Sequence, residues 1–99
     1  MTRSQATETI SQLGGKKFIA MTSAKSFVYG ENGLQFSIGS GAKRKINKVV
    51  ISLNDSDTYN MQFWSIKGVD MRKVAEHKNV YNDMIRNIFT FETGFLTSL

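Results

Sequence analysis

Residues 46–66 read INKVVISLNDSDTYNMQFWSI, and this stretch decides the fold. Val49, Ile51 and Leu53 fall on one side of an extended chain, while Lys48, Val50 and Ser52 fall on the other. Asn54-Asp55-Ser56-Asp57 is dense in turn formers, because short polar side chains hydrogen-bond to nearby backbone. Beyond it Tyr59, Met61 and Phe63 alternate with Asn60, Gln62 and Trp64. Two period-two runs joined by a short polar turn predict an antiparallel hairpin with one buried face.

The same period extends outward. Leu34, Phe36 and Ile38 point one way, with Gln35 and Ser37 pointing the other. Phe27-Val28-Tyr29 precedes them across Gly30-Glu31-Asn32-Gly33, and Asn-Gly between such runs is a strong hairpin signal because both residues tolerate positive φ. Further upstream Phe18-Ile19-Ala20-Met21-Thr22 reads as a strand that is apolar on both faces. Downstream, Lys67-Gly68-Val69-Asp70 makes a turn, and residues 71–77 read as a polar edge strand whose charges deter edge-to-edge pairing.

Helical periods bracket the strands. In residues 4–13 the apolar Ala6, Ile10 and Leu13 share one face, with Ser4 as the expected N-cap and Gly14-Gly15 as the stop. In residues 79–93 Tyr81, Met84, Ile85, Ile88 and Phe89 match the i, i+3, i+4, i+7, i+8 pattern of a core-facing helix. Asn79 is the expected cap there, Asp83 suits the positive N-terminal end, and Gly94 closes the helix. The expected fold is therefore α+β. A four- to five-stranded antiparallel meander is packed by the C-terminal helix, with a short N-terminal helix, and residues 1–99 form a single domain.

Composition narrows the function. The 99 residues hold 13 Lys+Arg against 8 Asp+Glu, a net charge of +5, with one His, no Cys and no Pro. Without Cys there is neither a disulfide framework nor a thiolate metal site. The start lacks an apolar leader and no apolar run is long enough to span a bilayer, so a cytoplasmic protein with no membrane partner is expected. Asp55-Ser56-Asp57 resembles the start of a calcium loop, yet Asn60 and Ile66 stand where that loop wants Gly and Glu. The two Gly- and Lys-containing loops, residues 14–17 and 39–43, do not match the phosphate-binding consensus. His77 beside Glu76 could in principle serve as a general base, but an exposed His on a polar edge strand is the favoured reading. A non-enzymatic protein with no cofactor and no metal site is the expectation.

Charge placement supplies the positive signal. Residues 1–50 carry eight basic groups against two acidic ones, and residues 51–99 carry five against six. The densest cluster is Lys43-Arg44-Lys45 with Lys48, entered through Gly39-Ser40-Gly41. On the expected pairing, the sheet face opposite the C-terminal helix bears Gln35, Ser37, Lys48, Val50, Ser52, Asn60, Gln62 and Trp64, with Arg72 joining from the last strand. Cations track a phosphate backbone and an aromatic ring stacks bases, which is how single strands are commonly held. Two readings of Trp64 stand side by side: a stacking platform, or a second small core under the N-terminal helix together with Ile66. The candidate nucleic-acid-binding residues are Lys43, Arg44, Lys45, Lys48, Trp64 and Arg72.

The stretches GGKKFIAMTSAKSF (14–27), ENGLQFSI (31–38), INKVVISLNDSDTYNMQF (46–63) and VYNDMIRNIFTFETGFLTSL (80–99) resemble small uncharacterised proteins encoded by tailed bacteriophages and prophages. The likeness covers most of the chain after Leu13 and carries no chemical signature, so no site residue follows from it. It implies a bacterial host cytoplasm and either DNA handling or interference with a host system. A nucleic-acid-binding protein preferring single-stranded DNA is the leading expectation. The alternative is an inhibitor or adaptor gripping a host protein through an edge strand or the apolar Phe95, Leu96 and Leu99. A homo-oligomer fits either reading.

Overall fold

A computed structural model describes residues 1–97 of the chain. The element order is α1 (Arg3–Leu13), α2 (Gly15–Thr22), β1 (Lys25–Gly30), β2 (Gly33–Ser37), β3 (Lys48–Leu53), β4 (Tyr59–Lys67), β5 (Asp70–Val80) and α3 (Ile85–Thr93). Single 3-10 turns occupy Lys43–Lys45 and Asn82–Met84. The five strands form one antiparallel sheet in the order β1-β2-β3-β4-β5, a meander with β1 and β5 at the edges.

The hairpin that dominates the sequence forms as expected. Val49 stands opposite Phe63 and Ile51 opposite Met61, all four without solvent exposure. Leu34 and Phe36 extend the buried rows across β2, paired with Ile51 and Val49. At the β1–β2 turn Gly33 is required twice over: its φ is +98°, and a Cβ there would run into the Ile51 carbonyl.

All three helices cover this one face. Phe18 of α2 meets Phe36 of β2 and Phe89 of α3 edge-on, with ring centroids 5.5 Å and 5.3 Å apart. Phe89 in turn lies 6.5 Å from Phe63 of β4. Helix α1 packs against α2 and α3, placing Leu13 in the same core. Each helix also buries a threonine, and each satisfies it in the same way. Thr9, Thr22 and Thr93 donate to the carbonyl four residues back at 2.8, 2.7 and 2.7 Å, so none of these three hydroxyls is left unpaired.

Three expectations are corrected. Residues 18–22 are the body of helix α2, not a strand: five apolar or β-branched residues satisfy either period, and here Phe18 and Thr22 are buried four apart. The first helix is capped by Thr2 rather than Ser4. Thr2 Oγ1 accepts from the Gln5 amide at 3.2 Å and Gln5 Oε1 accepts from the Thr2 amide at 2.9 Å. The last helix starts at Ile85, six residues past the expected cap Asn79, because buried Val80 pairs with Tyr59 and keeps the chain in β5 through that point. Tyr81 and Met84, read as core positions, are exposed, and Asn79 sits at φ 57° within β5. Gly94 does close the helix, at φ 80°.

Candidate nucleic-acid interface

The face opposite the helices is bare. Gln35, Ser37, Lys48, Val50, Ser52, Asn60, Gln62 and Trp64 alternate outward along β2, β3 and β4, all half-buried by their neighbours and covered by no other element among the described residues. The N-terminal helices lie under the opposite face with Phe18 and Leu13, so neither shields Trp64.

Register lines up the charges. Lys25 stands opposite Ser37, Ser37 opposite Lys48, Lys48 opposite Trp64, and Trp64 opposite Lys73. One cross-strand row therefore places a lysine on β1, β3 and β5, with the indole between the last two. At the usual strand spacing of about 4.8 Å, successive lysines sit roughly 10 Å apart. Next to this row runs a second, Val28–Gln35–Val50–Gln62–Glu76.

A chain of hydrogen bonds ties the two rows. Trp64 Nε1 donates to Gln62 Oε1 at 3.1 Å, and Gln62 Nε2 donates to Glu76 Oε2 at 3.0 Å. Lys73 Nζ reaches Glu76 Oε1 at 3.1 Å. The Lys73 and Gln62 hydrogen bonds hold the Glu76 carboxyl below the ordinary glutamate value, with a smaller contribution from the charge of Lys78. This face thus presents several cations, and the carboxylate beside them is already held by one of them.

The six residues expected to bind nucleic acid do not form one site. Lys48 and Trp64 share the bare face. Arg72 is on the other side of β5. Phe63 pairs with Ala75 but Trp64 pairs with Lys73, so a bulge at Val74 shifts the alternation by one. Plain alternation from Glu76 sets Val74 opposite Trp64 and keeps Arg72 on the same face, opposite Ile66; the bulge brings Lys73 opposite Trp64 and pairs Arg72 with Ser65, on the other face.

Lys43 and Arg44 are engaged with α3. Lys43 Nζ donates to the Phe91 carbonyl at 3.3 Å, lies 5.8 Å from the Phe91 ring centroid, and its stem packs over Gly94. Arg44 forms an ion pair with the carboxylate of Glu92. Helix α3 has no basic residue in its own last turn, so the loop supplies the cations that its C-terminal carbonyls attract. Arg44 and Lys45 adopt left-handed φ values of 54° and 59°, a conformation that costs non-glycine residues about 1 kcal/mol each and is offset here by the anchors onto α3. Lys45 remains exposed, in the loop that leaves β2 after Ser37 and enters β3 at Lys48.

Glu92 is buried and holds a second partner, His77 Nε2, 2.6 Å from Oε2. His77 and Glu76 are neighbours in a strand and point to opposite faces, so they form no dyad. The carboxylate that orients His77 comes from α3 instead, and Phe63 packs edge-on against the imidazole with centroids 6.3 Å apart.

Lys25 and Lys73 escape a reading of the sequence. Neither belongs to a basic cluster, and their alignment with Lys48 exists only through strand pairing. The chain matches no protein-family model, no curated protein and no solved structure. No helix among the described residues is long and apolar enough to cross a membrane.

Proposed function

We propose that the protein is a non-enzymatic binder of single-stranded nucleic acid, DNA in the first instance, and that it uses the bare face of its sheet. The observation that carries this reading is the row Lys25–Ser37–Lys48–Trp64–Lys73. Lysines that neutralise phosphates release condensed counterions, which favours association without any base being read. An indole lying among them offers a face on which an unpaired base stacks; a base inside a duplex has both faces occupied. The resemblance to proteins of tailed phages supports a setting in a bacterial host, where single strands arise during DNA handling.

Fluorescence polarisation with matched single- and double-stranded oligonucleotides at two salt concentrations tests the reading. Three lysine contacts give a slope of log affinity on log salt near about −2 for a single strand. Affinity weaker than about 100 μM at physiological salt, or equal affinity for both forms, overturns it.

A second reading has one observation behind it. Met84 in the 3-10 turn before α3 and Phe91 within α3 are 46% and 69% exposed, and Leu96 beyond the helix is 58% exposed. This apolar group suits a protein partner, a host protein or a second copy of the chain. Leu99, expected to share this role, lies outside the described residues. A Phe91→Ser, Leu96→Ser variant that keeps its fold but loses self-association in light scattering, or loses a candidate host partner, favours this reading; unchanged association and partner binding remove it.

A further inference from the structure

We infer that the sheet face contains a pocket for one nucleobase, so that strand binding carries a base preference; this rests on the single-strand reading above. The bare face is not flat. A trough of about 370 Å³ opens over Val50, bounded by Gln35, Gln62, Lys48, Trp64 and Ser52. Its origin is in the register. Val50 stands between Gln35 and Gln62 in one cross-strand row, so a short branched side chain is flanked by two longer ones and leaves a depression. The volume falls within the range of about 300–1,000 Å³ typical of small-molecule sites and suits a single unstacked base with its sugar.

The chemistry of the walls fits a base better than its competitors. A phosphate wants several converging cations, and Lys48 is the one cation lining the trough. A purely apolar ligand would strand the amides and the hydroxyl without partners. A base has an apolar face for Trp64 and Val50 and an edge of donors and acceptors for the amides. Part of the pocket is set in advance. The bond from Trp64 Nε1 to Gln62 Oε1 fixes the indole, and the bond from Gln62 Nε2 to Glu76 fixes which end of that amide faces which way. Among the described residues Gln35 and Ser52 hold no side-chain hydrogen bond, so both are left to read the edge of the base. An amide that donates and accepts side by side discriminates between bases by roughly tenfold or more.

The test uses strands of abasic sites carrying one central A, C, G or T, with a fully abasic strand and a thymidine homopolymer as references. The expected result is a difference of about tenfold or more between the best and worst single base. The Gln35→Ala, Ser52→Ala double variant is then expected to bring all four within about twofold, while keeping its affinity for the abasic strand and its salt slope. Neither residue belongs to the buried core, so thermal melting should not change. If all four single-base strands bind the wild type equally while the abasic strand binds, the pocket is overturned and the single-strand reading stands. A preference that survives the double variant overturns the assignment of Gln35 and Ser52. If no strand binds, the thymidine homopolymer included, the single-strand reading itself falls and the pocket with it.

Discussion

Two sets of lysines in this molecule are contrasted by what surrounds them. Lys43, Arg44 and Lys45 are contiguous in sequence, and two of the three are taken up by the end of α3. Lys25, Lys48 and Lys73 are more than twenty residues apart in sequence, yet pairing of β1 through β5 sets them in one row. A run of positive charge in a chain reports local repulsion that the fold must relieve, and here a helix C-terminus and a buried carboxylate relieve it. A row of positive charge across a sheet lies open to solvent: Lys25 and Lys48 meet no carboxylate among the described residues and Lys73 meets only Glu76, so most of its field remains available to a polyanion. Sequence density of charge is thus a poor guide to where charge is free.

The comparison is broken most directly by exchanging the two sets. Replacing Lys25, Lys48 and Lys73 with Gln should lower single-strand affinity by on the order of 100-fold and flatten the salt slope toward zero, with melting unchanged. Equal loss from Lys43→Gln with Arg44→Gln would dissolve the distinction. Trp64→Ala removes the stacking surface between two of the lysines and should cost about tenfold in affinity while leaving the salt slope intact, as measured by polarisation at two salt concentrations. Lys43→Gln with Arg44→Gln should instead lower stability by about 1 kcal/mol, because both side chains are partly exposed and screened, which lowers the melting temperature by about 4–8 °C in a domain of this size. Its effect on nucleic-acid binding should be within twofold. The smallest effect concerns Glu76. A carboxyl group whose pKa falls on folding contributes stability above its unfolded value and gives it up as pH drops through the lower folded one. In an NMR titration Glu76 should therefore protonate below 4.5, and Lys73→Gln should raise its midpoint.

Much of this fold is legible in the alternation of β2, β3 and β4, because each has one face in the core and the other in water. Leu34, Phe36, Val49, Ile51, Met61 and Phe63 are all buried as their spacing requires. Legibility fails where a segment satisfies two periods at once. Residues 18–22 fit a strand as well as a helix, and the decision is made by Phe18 finding Phe36 and Phe89. It fails again where the pattern is right but its owner is wrong. Tyr81 and Met84 complete a helical stripe on paper, whereas Val80 ties the preceding residue to the sheet and a 3-10 turn fills the gap. At the candidate site, Lys48 and Trp64 could be placed on one face from alternation alone. Lys73 could not, since a single bulged residue reverses the parity of β5, and no local feature of the sequence around Val74 announces it.

The encounter of Phe18 with Phe89 has a consequence for how the chain is assembled. The strands pair with their sequence neighbours, so the sheet closes by short loops and demands little search. The two rings, by contrast, are brought together from helices near opposite ends of the chain, and they act as a clasp over the sheet. During synthesis the strands can pair before α3 has left the ribosome, and for that interval Phe18 and Phe63 lack the ring of Phe89 that packs against them. The last helix is therefore the step that turns a sticky sheet into a finished domain, and chains that stop short of it should be the aggregation-prone ones.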